Sequence, residues 1–436
     1  MLRLQPERRA LGSLSIATAR YDIFLLCMAT TSFAPILVGC SRRAHALTDD
    51  YAHGRRRTMD TDENFDFAPI RVVRIDAELL RVPLRVPFTI ATAELHHSDG
   101  ALVRIELEHR GPRAIGIGEA GCLYPVTQES GESVVNRVRA LNRASLAGGE
   151  GSLADLFAQL TAAPAARAAL ESAGLDAASR LEGLSAAASL RRSGIGGSSS
   201  TSNPLPLTCS TDITLSIADE ASVMSQASGF YRDGFRVFKM KVGHDVSREA
   251  TIMKALIERF EGAKLILDAN GGYSSDEAMR VLDAIAALPV LCFEQPCARE
   301  DTGGMRRVTA QSPFPVVADE SLRSMDDFVR IRDEGLAHGV NLKLVKLGGP
   351  VLSFAIGTAA KAAGMCIMAG AMVDTKLGLT AMGHVVAALG GVDFVDLDTA
   401  FLLTGDPWQG GYTFDKDQLT FPDCVGFGVS PLVGGD

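Results

Sequence analysis

Residues 264–320 contain three short apolar runs that each end in an acidic residue: KLILDAN (264–270), VLCFEQP (290–296) and FPVVADE (314–320). Helical patterns separate these runs, and short apolar runs between helices are typical of buried parallel strands. The acidic positions Asp268, Glu294 and Asp319 are 26 and 25 residues apart. This even spacing predicts consecutive β/α units.

The same pattern continues on both sides of this stretch. The further runs are TDITLSI (211–217), RVFKMKVG (236–243), VNLKLVKLGG (340–349), MCIMAGA (365–371) and DFVDLDT (393–399). The eight runs have at their C-terminal ends Thr214, Lys241, Asp268, Glu294, Asp319, Lys343, Ala369 and Asp396, separated by 24 to 27 residues. Eight such units predict an α/β protein whose parallel strands close into a barrel.

A closed barrel brings the C-terminal ends of its strands to one face, where the active sites of such barrels lie. That face would collect three carboxylates from consecutive units, with Lys241 before them and Lys343 after them. Solvated strand ends, the alternative explanation, would show mixed residue types at irregular offsets. Because three hard oxygen donors suit Mg²⁺, we expect a working metal site there.

The two lysines point to proton transfer beside that metal. A substrate carboxylate on Mg²⁺ would let the carbanion at its α-carbon delocalise as a metal-bound enediolate. Lys241 and Lys343 would approach the α-carbon from opposite sides, which predicts inversion by a two-base 1,1-proton transfer. Lys239 shares a strand face with Lys241, and this cation and the metal would both favour neutral Lys241. Exposed lysines on an edge strand are the alternative, which fits a barrel strand poorly.

The segment before the barrel has a different pattern. Residues 70–110 alternate as strand, loop and strand, and residues 130–184 are rich in Ala and Leu at helical spacing. A Ser/Gly/Pro-rich linker, GIGGSSSTSNPLPL (194–207), follows. We therefore expect a small α+β domain over residues 68–190 and the barrel over residues 205–405.

Composition limits the classes of partner. The 436 residues carry a net charge of −9 and show no long basic patch after residue 58, which argues against nucleic acid. We expect a small-molecule ligand, no membrane partner and a homo-oligomer. The eight cysteines include no C-x-x-C pair, which is typical of thiols in a reducing compartment.

Residues 1–58 are Arg-rich, poor in acids and contain the apolar stretch IFLLCMATTSFAPILVGC (23–40). A membrane span would be marginal in length and interrupted by Thr, Ser and Pro. A secretory signal would have an Ala44-His45-Ala46 cleavage site but an unusually long leading segment. We favour a disordered transit peptide for plastid or mitochondrial import, with a cytoplasmic location as the alternative.

Several motifs resemble the muconate-lactonising subgroup of the enolase superfamily: KMK (239–241), LDANGGY (267–273), FEQP (293–296), ADES (318–321) and NLKLVKLGG (341–349). The resemblance covers about residues 70–430. It implies a (β/α)₇β modified TIM barrel, an N-terminal capping domain and a C-terminal segment, 406–436, that returns to this domain.

The resemblance also implies roles for individual residues. Asp268, Glu294 and Asp319 would bind one Mg²⁺ per subunit, and Lys241 and Lys343 would be the acid/base pair. Lys239 would lie beside the substrate carboxylate, and Asn270 would support the metal site. From its position at the mouth of the first strand, Thr214 is a candidate for a hydrogen bond to substrate.

Within the subgroup, Asp396-Leu397-Asp398 is similar to the paired-aspartate motif of dipeptide epimerases. A dipeptide has a free ammonium group one residue from the metal-bound carboxylate, and the two carboxylates can hold it. An acidic strand end without function is the alternative for the motif. N-acylamino-acid racemases, cycloisomerases and dehydratases share the metal site but bind no such ammonium, and a scaffold without activity would not need the five core residues.

One departure concerns the second residue of the dipeptide. Epimerases of this type that act on L-Ala-D/L-Glu usually carry an Arg in the loop after the first strand, to pair with the glutamate. The corresponding PFTIATAELHH (87–97) has none, and Ala93 falls near that position. We expect a broad or apolar preference at the second residue.

Overall fold

We analysed a computed structural model, which describes residues 70–432 except 91–92, 124–126, 146–152, 196–202 and 217. The transit peptide predicted for residues 1–58 lies outside the described residues. No helix within the described part of the chain has the length and hydropathy needed to cross a membrane.

The described residues of the first part of the chain form a sheet, a hairpin and four helices. The strands are β1 (Arg71–Leu80), β2 (Pro83–Ile90), β3 (Ala93–His97), β4 (Asp99–Glu108) and β5 (Arg113–Cys122), and the helices are α1 (Gly131–Ser145), α2 (Leu153–Gln159), α3 (Pro164–Glu182) and α4 (Ala186–Arg192). Strands β1, β4 and β5 form an antiparallel sheet, and β2 pairs with β3. This is an α+β arrangement.

Helix α3 lies directly on β5 because both elements have small residues at the contact. A Cβ added to Gly118 would lie only 2.2 Å from the carbonyl oxygen of Ala169, and one at Gly116 would lie 2.1 Å from that of Ala173. Real side chains cannot come so close, so the two glycines allow backbone-to-backbone packing. The Ala-rich face of α3 is buried against them.

The second part of the chain alternates strands and helices. After the short β6 (Leu207–Ser210), the strands are β7 (Ile213–Leu215), β8 (Val237–Lys241), β9 (Lys264–Asp268), β10 (Val290–Glu294), β11 (Val316–Ala318), β12 (Gly339–Leu342), β13 (Cys366–Gly370) and β14 (Phe394–Asp396). The helices between them are α5 (Glu220–Arg232), α6 (Val246–Arg259), α7 (Ser275–Ile285), α8 (Thr302–Gln311), α9 (Met325–Asp333), α10 (Leu344–Leu347), α11 (Pro350–Ala362) and α12 (Lys376–Leu389). Strands β7 to β14 pair in parallel in chain order.

The sheet closes where its first strand meets its last. The backbone N–H of Asp212, just before β7, donates to the carbonyl of Val395 in β14 over 3.0 Å. Asp or Ser side chains cap the N-termini of helices α5 to α9, which fixes where each helix leaves its strand. The predicted (β/α)₇β barrel is confirmed.

The C-terminal residues contact both parts of the chain. They form β15 (Trp408–Gly410), β16 (Thr413–Asp415), β17 (Gln418–Phe421) and β18 (Val429–Pro431). Strand β17 pairs with β6, which directly precedes the first barrel strand. Beyond it, the N–H of Phe427 donates to Asp176 of α3 over 2.8 Å, and that of Ala186 in α4 donates to the carbonyl of Gly426.

Candidate active site

The barrel strands present the predicted site residues at their C-terminal ends, where the carboxylates of Asp268, Glu294 and Asp319 form a row between the two lysines. Lys241 of β8 lies beside Asp268 of β9, and Asp268 lies beside Glu294 of β10. Asp319 follows the last residue of β11, and Lys343 follows the last residue of β12. All three carboxylates and Lys343 are buried, whereas Lys241 is partly exposed.

The two lysines contact opposite ends of this row. Nζ of Lys241 donates to Oδ2 of Asp268 over 2.6 Å. Nζ of Lys343 donates to Oδ2 of Asp319 over 2.9 Å and lies 3.8 Å from Glu294. The two ammonium groups are therefore separated by the carboxylates, with Glu294 between them.

Lys239 lies beneath this row and is almost completely buried. Its Nζ lies 2.6 Å from Glu294, 2.6 Å from Asp396 and 3.1 Å from Asp268. Burial alone would lower the pKa of Lys239, but the charges of Asp396, Glu294 and Asp268 outweigh it and hold this pKa well above its usual range. Lys239 is a fixed cation that links the carboxylate row to the opposite wall.

The three carboxyl groups differ in their tendency to ionise. Burial, followed by the charge of Asp268, raises the pKa of Glu294 to about 8. Burial also acts on Asp268 and Asp319, but the adjacent lysines outweigh it and keep the pKa of both below its usual range. Among the three carboxyl groups, the ionised form of Glu294 is therefore the one that the surrounding lysines stabilise least.

The donor set fits a hard divalent cation. Ammonium groups lie between the carboxylates: Lys239 contacts both Asp268 and Glu294, and Lys343 contacts both Glu294 and Asp319. Although Nζ of Lys239 is 2.6 Å from Oε2 of Glu294, that buried oxygen receives no well-aligned hydrogen bond from the described residues. Three buried carboxylates with such an oxygen are the ligands that Mg²⁺ takes in proteins.

Two polar residues of this site, Asn341 and Lys346, were not predicted from the sequence. The Asn341 amide donates to Oε1 of Glu294 over 2.7 Å, and Nζ of Lys346 donates to the carboxylate and to the carbonyl of Asp319. Strand periodicity could have identified Asn341, which shares a strand face with Lys343. Lys346 lies in the short helix α10, so the strand pattern gave no signal for it.

The side chain of Asn270 contacts Lys241 and not a carboxylate of the row. Its Oδ1 accepts from Nζ of Lys241 over 3.3 Å, and its Nδ2 donates to Oε1 of Glu320 over 3.1 Å. Its backbone N–H donates to Asp268 over 3.0 Å. Asn270 thus connects Lys241 to the predicted metal ligands.

The far wall of the barrel carries Asp396 and Asp398. Asp396 ends β14 beside Gly370, whereas Asp398 lies beyond the strand in a helical conformation, at the start of a 3₁₀ turn. Strand periodicity therefore does not explain why their carboxylates converge. Instead, Oδ2 of Asp398 accepts the backbone N–H of Thr214 over 2.7 Å, which turns it toward Asp396.

The loop that would contact the second residue of a dipeptide lies largely outside the described residues. Residues 91–92 are among those not described, as is the side chain of Ala93. The base of the hairpin is described: Arg85 donates from its backbone to Leu402 and from Nε to Leu403, both over 2.8 Å. The hairpin is therefore anchored to the segment that follows Asp398.

Comparison with known proteins relates the chain to enzymes of one family. Residues 222–432 match the family model described as enolase C-terminal domain-like. The chain is 33% identical to an aromatic dipeptide epimerase from Herpetosiphon aurantiacus, covering 83% of this chain and 99% of that protein. It is 32% identical to an L-Ala-D/L-amino acid epimerase from Populus trichocarpa, covering 82% and 84% respectively.

A solved structure shows the same fold with ligands. It is a dipeptide epimerase from Enterococcus faecalis V583 complexed with Mg and the dipeptide L-Leu-L-Tyr. The TM-score is 0.73 at 28% identity, over 82% of this chain and 99% of that one. Like the sequence relatives, it matches both parts of the chain that the structure describes.

Proposed function

We propose that this chain, which belongs to the dipeptide epimerases of the enolase superfamily, inverts the α-carbon of the second residue of a dipeptide. The reaction depends on Mg²⁺. The observation that carries the proposal is the row of three buried carboxylates with Lys241 at one end and Lys343 at the other. A carbon held over this row has an amine on each side, as inversion requires.

We assign the metal to Asp268, Glu294 and Asp319. When bound, Mg²⁺ supplies stabilisation for the negative charge that develops on the substrate carboxylate as the α-proton leaves. Asn341 and Lys346 hold Glu294 and Asp319 in position through hydrogen bonds. Asn270 supports the same site through Asp268.

Proton transfer is assigned to the two lysines. One lysine, as the free amine, takes the α-proton onto Nζ; the other, as the ammonium, gives a proton to the opposite face of the carbon. The electron pair left by the departing proton forms the new C–H bond, so the dipeptide changes only its configuration. Lys239, whose charge is fixed by three carboxylates, holds the substrate carboxylate beside the row.

The N-terminal ammonium of the dipeptide is assigned to Asp396 and Asp398. Both are buried and close to the carboxylate row, since Lys239 contacts Asp396 and Glu294 at once. Thr214 contributes by orienting Asp398 and is a further candidate for contact with substrate. A buried ammonium site favours dipeptides over N-acyl amino acids.

We propose a broad or apolar preference at the second residue. No Arg occurs between residues 87 and 97 to pair with a glutamate side chain. Comparing kcat/KM for L-Ala-L-Phe, L-Ala-L-Leu and L-Ala-L-Glu tests this preference. A clear advantage for L-Ala-L-Glu would contradict it.

The test of the function is proton exchange followed by NMR. With Mg²⁺ in D₂O, an L-Ala-L-X dipeptide should lose the α-proton signal of its second residue and yield the D isomer, and chelation of the metal should stop both processes. Turnover of an N-acyl amino acid without exchange in any dipeptide would instead identify a racemase of the rival type.

Two further proposals concern the setting of the enzyme. The Arg-, Ser- and Thr-containing residues 1–58 support import into a plastid or mitochondrion, which a fluorescent fusion of this segment would test. We also propose a homo-oligomer, and light scattering of the purified protein would measure its mass. A monomeric mass would contradict that proposal.

A further inference from the structure

A third aspartate lies beside the proposed ammonium site, and no part of the mechanism above uses it. Asp212 precedes β7, and its backbone helps to close the barrel through Val395. The residue is 2% exposed, and its carboxylate lies close to those of Asp396 and Asp398. Both of its carboxylate oxygens are fully buried, and neither accepts a hydrogen bond from a donor among the described residues.

The neighbouring donors are directed at other carboxylates. The Lys239 ammonium donates to Asp396 over 2.6 Å, and Glu294 and Asp268 lie 2.6 and 3.1 Å from it. The backbone N–H of Thr214 donates to Asp398. Because a buried carboxylate without a donor is costly, Asp212 requires a proton or a cation from outside the chain.

The carboxylates are close enough together for one cation to contact all three. One oxygen from each of Asp212, Asp396 and Asp398 can be chosen so that all three lie within 4.8 Å of one another. A cation at the centre of such a triangle lies at most about 2.8 Å from each oxygen, which is within the reach of the N–H···O hydrogen bonds of an ammonium group.

We propose that Asp212 is the third acceptor for the N-terminal ammonium of the dipeptide, so that Asp212, Asp396 and Asp398 each receive one of its three N–H groups. This inference rests on the proposed function and assigns to the chain a specificity residue outside the paired-aspartate motif. When the N-terminal amine of a dipeptide is acylated, its nitrogen becomes an uncharged amide with a single N–H.

The state without ligand supports this assignment. Asp212 and Asp396 are close enough to share a proton, and the pKa of Asp212 is held well above its usual range by burial, then by the charges of Asp396 and Asp398. The ionisable groups near it also include Lys239 and Cys292. The bound ammonium would take the place of the shared proton.

The experiment compares two ligands on three proteins. The ligands are L-Ala-L-Phe and N-propionyl-L-phenylalanine, which has nearly the same shape but no ammonium group. The proteins are the wild type, Asp212→Asn and the matched control Asp283→Asn, where the same change is made at an exposed position in α7. Dissociation constants with Mg²⁺ present and the melting temperature without ligand are measured for each.

Loss of one charge-assisted hydrogen bond should weaken L-Ala-L-Phe binding by about 10- to 100-fold in Asp212→Asn. Binding of N-propionyl-L-phenylalanine should change less than about twofold, and the melting temperature should stay the same or rise, because the uncharged amide replaces a carboxylate that lacks a donor. Asp283→Asn should match the wild type. On the wild type, N,N-dimethyl-L-Ala-L-Phe, which keeps the charge but has a single N–H, should also bind at least about 10-fold more weakly than L-Ala-L-Phe.

Equal weakening of both ligands, or none, would overturn the inference. Normal binding of the dimethylated dipeptide by the wild type would also overturn it, whether or not Asp212→Asn folds. These results leave the proposed function intact if the wild type still epimerises L-Ala-L-Phe. A wild type that exchanges the α-proton of no dipeptide would overturn the function and, with it, this inference.

Discussion

A single methyl group added at Gly370 should displace Lys343. Gly370 ends β13, next to the strand from which Lys343 extends. A Cβ built at Gly370 would lie 2.8 Å from Cε of Lys343 and 2.7 Å from Oδ1 of Asn341. The backbone of Gly370 does not have a positive φ, so the nearest obstacles to an alanine there are these two side chains.

The size of the effect follows from those distances. Ordinary contacts begin at 3.4 Å, so Cε of Lys343 must move by about 0.6 Å and Oδ1 of Asn341 by about 0.7 Å. The flexible end of Lys343 can move further than Asn341, whose movement is limited by its hydrogen bond to Glu294. A displacement approaching 1 Å in a reacting group costs about 100-fold in rate, or about 2.7 kcal/mol.

The assay follows α-proton exchange from each epimer of L-Ala-Phe in D₂O by NMR. In Gly370→Ala, the epimer whose α-proton faces Lys343 should exchange about 100-fold more slowly, while the epimer that faces Lys241 continues to exchange. Gly229→Ala is the matched control, because a Cβ at Gly229 in α5 meets nothing within 4 Å. If folded Gly370→Ala exchanged both epimers at the wild-type rates, the reasoning would be refuted.

Two more predictions concern stability. Burial lowers the pKa of His384 to about 4, and its Nδ1 accepts the N–H of Ala187. In the unfolded chain the histidine has its ordinary pKa of about 6.5. As the pH falls from about 6.5 to 4, the unfolded chain therefore takes up a proton that the folded chain excludes. The free energy of unfolding of the wild type should therefore drop by up to about 3 kcal/mol over this pH window. Denaturant titrations should show a smaller drop for His384→Gln. Equal drops in the two proteins would contradict the reasoning. Mg²⁺ at 100 times its Kd should stabilise the folded protein by about 2.7 kcal/mol. Calorimetry should show this as a rise in melting temperature that Glu294→Gln lacks, and an equal rise in Glu294→Gln would argue against the assigned metal site.

The barrel could be predicted because its signals are local. Strands β8 to β10 are short apolar runs whose polar ends recur at an almost constant interval, and the alternation of side chains in β8 places Lys239 and Lys241 on one face. The structure brings these lysines next to Asp268, as their order along the chain suggests.

The remaining parts of the site depend on contacts between distant segments. Asp398 lies beyond its strand, and its direction is set by the backbone of Thr214 on the other side of the barrel seam. Lys346 reaches Asp319 from a helix of four residues, and Asp212 belongs to the site only because the barrel closes there. Neither strand periodicity nor residue spacing contains this information.

The two-sided arrangement of amines is tested most directly by the single variants Lys241→Ala and Lys343→Ala, each given both epimers of L-Ala-Phe in D₂O with Mg²⁺. Each variant should lose epimerisation and retain exchange of one epimer only, and the epimer that still exchanges should be opposite in the two variants. Epimerisation at the wild-type rate in either variant, or exchange of the same epimer by both, would contradict the account.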